Sequence, residues 1–136
     1  MKNINLNSDI GEGFGVYDIG NDTEMLKIVN SANIACGFHA GDPNVMDRVV
    51  KQSIKNGVSI GAHPGFDDLW GFGRRQIHMS TDEIEASVAY QIGALQAISA
   101  TNNAIVTHVK PHGALNNMSS LDPAIATAIA RGVNLV

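Results

Sequence analysis

Apolar runs of four or five residues alternate along the chain with longer segments whose apolar positions recur every three or four residues, so strand and helix follow one another by turns. Ile4 and Leu6 alternate with polar neighbours and predict a first strand over 4–8. Further strands are expected over 33–36, 58–62 and 104–109, and a fifth is expected to begin at Val133. Asp22 is expected to cap a helix that runs to Asn30. Asp42 before Pro43 is an N-cap followed by a proline at the first helical position; Gly57 follows the end of that helix, and Asp122-Pro123 repeats the device. Ser80 and Glu83 have capping-box spacing ahead of Ile84, Val88, Ile92 and Leu95, which share one face of a helix reaching Thr101. Residues 9–21, 63–80 and 110–121 read as long loops, each after a strand.

Strands joined by helices give an α/β fold with a parallel sheet and right-handed crossovers, either an open doubly wound sheet or a (β/α) barrel. At 136 residues the length favours the open sheet, since a barrel typically takes about 250. Against that, the chain stops at GVNLV, where a strand is expected to start, and reads as cut short. One domain over residues 1–136 is expected.

Composition narrows the function classes. Apolar residues make up 44% and charged residues 16%, which excludes disorder and a membrane span. Nine basic against thirteen acidic residues, with no basic run longer than Arg74-Arg75, excludes a nucleic-acid or anionic-membrane partner. The single Cys36 leaves no disulfide framework, and the N-terminus MKNINLNSDIGEG lacks the apolar stretch of a signal peptide, so a cytoplasmic protein is expected.

In parallel α/β folds the working residues gather where strands end in the carboxyl direction. Those ends carry Asp9 and Glu12 in SDIGEGFG, His39 and Asp42 in GFHAGDP, His63 in GAHPG, and His108, Lys110 and His112 in HVKPHGAL, whereas the opposite junctions carry only turn residues. Asp9, His39 and His63, from three successive strands, offer one carboxylate and two imidazoles to a divalent transition metal; an organic ligand held by the same side chains is an equal alternative. Lys110 and His112 are suited to polarise a carbonyl and move a proton, and His108 either joins them or packs against a neighbour. Arg74 and Arg75 in GFDDLWGFGRR either clamp an anionic group or pair with Asp67 and Asp68. No phosphate-cradling GxxxxGK[ST] is present.

Taken together, NSDIGEGFG, SANIACGFHAGDP, GVSIGAHPGFDDLWGFGRR, YQIGAL and HVKPHGAL, in this order, resemble the lactam-utilisation (LamB/YcsF) family of 5-oxoprolinase A subunits over nearly the whole chain to about Ala130. The resemblance implies a (β/α) barrel of the glycoside hydrolase/deacetylase type, commonly seven-stranded, present here as roughly its N-terminal half. It also implies hydrolysis of the lactam of 5-oxo-L-proline to L-glutamate, driven by ATP with its Mg²⁺ and shared with two partner subunits. On that reading Lys110 and His112 stabilise developing negative charge, Asp9 or Glu12 acts as base, and His39, Asp42, His63, Arg74, Arg75 and His108 are candidates for binding substrate. Where the family usually has an aromatic after HGAL, Asn116 stands here. Other readings are a metal-dependent deacetylase or amidohydrolase without ATP, and a subunit that binds substrate without catalysis. Two unpaired sheet edges remain on a half barrel and predict association, including a homo-oligomer.

Overall fold

A computed structural model describes residues 4–136; residues 1–3, the start of the segment read for a signal peptide, lie outside the described residues. The elements in order are β1 (Asn7–Ile10), α1 (Asp22–Met25), β2 (Ser31–Ala35), α2 (Pro43–Asn56), β3 (Ser59–His63), α3 (Thr81–Thr101), β4 (Val106–Val109), α4 (Gly113–Ser119) and α5 (Pro123–Asn134). All four strands are parallel and lie in the order β1-β2-β3-β4. A doubly wound sheet reverses its direction of growth at a switch point, whereas a barrel adds each strand to the same side of the last. The unbroken order is therefore that of a barrel segment, and the open sheet that the length favoured is corrected.

The register gives the sheet two chemically different faces. Ile10, Ala32, Ile34, Ile60 and Ala62 point toward the helices and are buried among Val45, Met46, Val49 and Val50 of α2 and Ile84, Val88, Ile92 and Leu95 of α3. The opposite face carries Asn7, Asp9, Ser31, Asn33, Gly61, His63 and His108, where a (β/α) barrel interior usually has bulky branched side chains.

Caps fix the helices where the sequence places them. Asp42 accepts hydrogen bonds from the backbone N–H groups of Asn44 and Val45 at 2.8 and 3.0 Å, and Gly57 ends α2 at φ 68°, a conformation glycine takes at no steric cost. Ser80 Oγ accepts from the Glu83 N–H while Glu83 Oε2 accepts from the Ser80 N–H, completing the capping box of α3.

Several elements differ from expectation. β1 begins at Asn7 and not at Ile4, because Ile4 and Leu6 are exposed and the ladder is carried by Asn7 to Ile10. Helix α1 is a single turn: Asp22 turns inward to accept the Gly11 N–H at 3.1 Å, so its carboxylate serves the β1 loop and does not cap a helix to Asn30. The loop expected over 110–121 contains α4. Val133 lies inside α5, not in a fifth strand; a Cβ on Gly132 would meet the Glu85 carbonyl oxygen at 2.6 Å, so this glycine lets α5 approach α3 closely and does not end the helix.

Candidate active site

The carboxyl ends of β1, β3 and β4, with the loops after β3 and β4, converge on a polar cleft of about 230 Å³. Asp9, His63, Arg74, Lys110, His112 and Asn116 are among its walls. Lys110 Nζ donates to both carboxylate oxygens of Asp9 at 2.8 Å, closing a bridge from the end of β4 to β1. Asn33, fully buried on β2, donates to Asp9 Oδ1 at 2.8 Å, and His63 Nε2 stands 3.4 Å from Asp9 Oδ2. Burial alone would raise the Asp9 carboxyl; its contacts with His63, Lys110 and Asn33 outweigh that and hold the group well below the usual carboxylate range. Asp9 is thus a fixed anion that orients the Lys110 ammonium.

Behind this cleft Glu12 and three buried imidazoles form a cluster. His39 Nε2 lies 3.1 Å from Glu12 Oε1, and the His39 ring stacks on that of His112 with centroids 3.7 Å apart. His112 Nδ1 lies 3.0 Å from His63 Nε2, while its Nε2 donates to the Phe72 carbonyl at 2.7 Å. Phe72 takes a positive φ of 54° in the loop after β3, which is how its carbonyl comes to face the ring. Burial, together with the neighbouring His39, pushes His112 down to about 4, and burial also lowers His39, so both rings are neutral at pH 7. One ligand atom from each of Glu12, His39, His63 and His112 lies within 4.8 Å of the others.

Glycines make this crowding possible. A Cβ on Gly65 would stand 2.7 Å from His39 Nδ1, and one on Gly73 would stand 2.6 Å from His39 Cβ. Gln91, buried on α3, pins the backbone beneath: its Oε1 accepts the Gly65 N–H at 2.9 Å and its Nε2 donates to the Gly65 carbonyl at 3.0 Å.

With this constellation in view, the comparison with known proteins is direct: residues 4–136 match the LamB/YcsF family. The chain belongs to the LamB/YcsF family. Among relatives, the 5-oxoprolinase A subunit of Natranaerobius thermophilus is 56% identical over 135 residues, covering 99% of this chain and 52% of that protein. The same-named protein of Clostridium kluyveri is 58% identical over 133 residues, covering 98% of this chain and 52% of that protein. The crystal structure of the lactam utilization protein from Thermus thermophilus superposes with a TM-score of 0.95 at 46% identity, covering 97% of this chain and 53% of that chain. The chain spans about half the length of the curated relatives it matches.

Within this LamB/YcsF chain, the residues singled out by sequence divide into those the structure brings together and those it separates. Asp9, Glu12, His39, His63, Lys110 and His112 converge, and Arg74 reaches the same cleft, its guanidinium 5.5 Å from the Phe72 ring centroid. Arg75 instead donates to Asp68 within its own loop. Asp42 commits its oxygens to the α2 cap and to the Gly15 N–H at 2.7 Å, beside a separate apolar cleft. His108 lies one layer below the site, its ring over Gly61 and its Nε2 3.1 Å from Asn33 Oδ1. Sequence reading missed Asn33, Phe72 and Gln91; only Asn33 left a signal, as a lone amide inside the apolar run SANIAC. Among the described residues no helix is long and apolar enough to cross a membrane.

Proposed function

We propose that this chain contributes the lactam-binding part of a 5-oxoprolinase, which hydrolyses the cyclic amide of 5-oxo-L-proline to L-glutamate with conversion of ATP to ADP and phosphate. The observation that carries the reading is the polar cleft of about 230 Å³ with a lysine and an arginine on its walls, in a chain more than half identical to 5-oxoprolinase A subunits. Its size suits one five-membered ring with a carboxylate, and it falls below the range of about 300–1,000 Å³ typical for larger ligands such as a nucleotide.

Arg74 has no carboxylate partner among the described residues, so its guanidinium is available to the substrate carboxylate. Lys110, held by Asp9, faces the position of the lactam oxygen, where negative charge develops as the amide is attacked or phosphorylated. An unstrained amide resists water because resonance stabilises it, and phosphorylation of its oxygen by ATP, carried with Mg²⁺, would relieve that resistance. Asp9, stabilised as an anion, is a poor base, which leaves proton transfer to Glu12 and the imidazole cluster. His39 and His63 shape that cluster; Asp42, Arg75 and His108 act by holding the loops and strands around it. Two partner subunits complete the enzyme, and Val16, Tyr17 and Trp70, exposed on loops after β1 and β3, are suited to dock them. On this reading the enzyme works in the cytoplasm, where ATP is supplied.

The test is glutamate release from 5-oxo-L-proline by the protein assembled with its two partners, with and without ATP. Release that requires ATP supports this reading. The Glu12 and imidazole cluster favours one alternative, a metal-dependent amidohydrolase, for which release would proceed without nucleotide.

A further inference from the structure

Two rings of the histidine cluster have their protons committed elsewhere. His63 Nδ1 lies 2.5 Å from the Lys110 carbonyl oxygen and His112 Nε2 lies 2.7 Å from that of Phe72; a carbonyl only accepts, so each of these nitrogens carries the hydrogen. The nitrogens that remain to offer lone pairs, His63 Nε2 and His112 Nδ1, face each other at 3.0 Å. Glu12 Oε1 adds a third acceptor, 3.4 Å from His112 Nδ1 and 3.8 Å from His63 Nε2, and stands 3.1 Å from His39 Nε2. Three acceptors this close repel one another unless a proton or a metal ion sits among them. Around a four-coordinate ion with bonds of about 2.0–2.1 Å, tetrahedral geometry puts neighbouring ligand atoms about 3.3–3.4 Å apart; the separations among Glu12, His63 and His112 and from Glu12 to His39, 3.0 to 3.8 Å, bracket that value, and all four atoms lie within 4.8 Å of one another. The carbonyl bonds to His63 and His112 are also the outer contacts that fix the tautomer of metal-bound imidazoles. His39 differs, since its buried Nδ1 has no partner and is wedged against Gly65.

We propose that Glu12, His39, His63 and His112 form a binding site for one divalent transition metal of the zinc and cobalt kind. Three imidazoles select such an ion over the harder Mg²⁺, which prefers oxygen ligands. This donor set differs from the Asp9, His39 and His63 expected from sequence: Asp9 is held by Lys110, and Glu12 and His112 take up the places around His39 and His63. When bound, such an ion supplies Lewis-acid chemistry at a water or carbonyl oxygen. The residues it occupies are those that otherwise offer lone pairs to a proton, so Glu12 and the imidazoles would then hold the ion and leave charge stabilisation in the cleft to Lys110.

The probes are Zn²⁺ and Co²⁺ titrated into chelator-stripped full-length protein, read by calorimetry and by the ligand-field absorption of bound Co²⁺. One equivalent per chain is expected, with a low-coordinate Co²⁺ spectrum. Affinity should fall by about tenfold or more in Glu12→Gln and in His112→Asn, since even outer-shell partners of a metal are worth that much, while Asp9→Asn keeps the stoichiometry. Absence of saturable uptake, uptake equally tight in the folded variants, or uptake abolished by Asp9→Asn alone overturns the proposal. His112 is buried and its variant can fail to fold; Glu12→Gln is isosteric and partly exposed, and keeps the test decisive. Calorimetry reads no turnover, so a protein that binds no metal yet releases glutamate refutes this inference alone, and the converse refutes only the lactam-hydrolase reading.

Discussion

Lys110 Nζ lies 2.8 Å from both carboxylate oxygens of Asp9, so the first and fourth strands of the sheet are tied at their carboxyl ends by residues far apart in sequence. The pair is partly exposed, and its value lies more in aiming the ammonium than in stability. Because the folded carboxyl sits below its ordinary value of 3.8, its contribution is complete above that pH and is lost as pH falls through the lower folded value. Urea midpoints of the protein and of Asp9→Asn, measured from neutral pH downward, should keep a constant gap to about pH 4 and converge below it.

His112 behaves in the opposite chemical sense with the same sign. Its folded value of about 4 lies below the ordinary 6.5, so between those values the unfolded chain binds more protons than the folded one. Its contribution is complete above pH 6.5 and is lost as pH falls toward 4. Glu12, His39 and His63 face the same ring. Thermal melts of metal-free protein should show stability lost across this window, and His112→Gln should lose less over the same range.

Gly61 leaves room for the His108 ring, and a Cβ there would clash with the ring atoms. Gly61→Ala should therefore destabilise the protein by displacing His108 from Asn33, a small-to-large change of the kind that costs about 1–3 kcal/mol. Adding His108→Ala should recover part of the loss. Chemical denaturation of the two single variants and the double variant measures this coupling, and additive losses would mean that the two residues do not interfere.

Much of this fold can be read from sequence because its signals are local. Asp42-Pro43, Gly57, Ser80 with Glu83, and Asp122-Pro123 each satisfy backbone groups within a few residues, and each cap is in place. What failed depended on partners distant in sequence. The strand at Asn7 to Ile10 is polar on its inner face because Asn7 and Asp9 bond to Asn33, and no hydrophobic alternation reports that. Val133 reads as the start of a strand until Gly132 is seen to pack α5 against Glu85 of α3. The candidate site was legible as residue types at strand ends, yet its division was not. That Arg74 enters the cleft while Arg75 turns to Asp68, and that Glu12 and not Asp9 faces three imidazoles, is fixed by loop geometry.

Arg74 should govern substrate affinity more than turnover. With Arg74→Ala in the assembled enzyme, KM for 5-oxo-L-proline should rise by about ten- to a hundredfold, the worth of a charge-assisted hydrogen bond, with kcat changed little. Arg74→Lys should restore part of the affinity. Steady-state kinetics on the two variants checks this, and a fall in kcat at unchanged KM would place Arg74 elsewhere in the reaction.

Lys110→Met, assayed in the complete enzyme with 5-oxo-L-proline and ATP while glutamate and phosphate are both followed, tests most directly whether the lactam is opened in this cleft. A loss of about a hundredfold or more in glutamate release is expected, as for removal of one preorganised donor to a developing oxyanion, in a protein that still folds. ATP-dependent glutamate release at the unmodified rate would contradict the account.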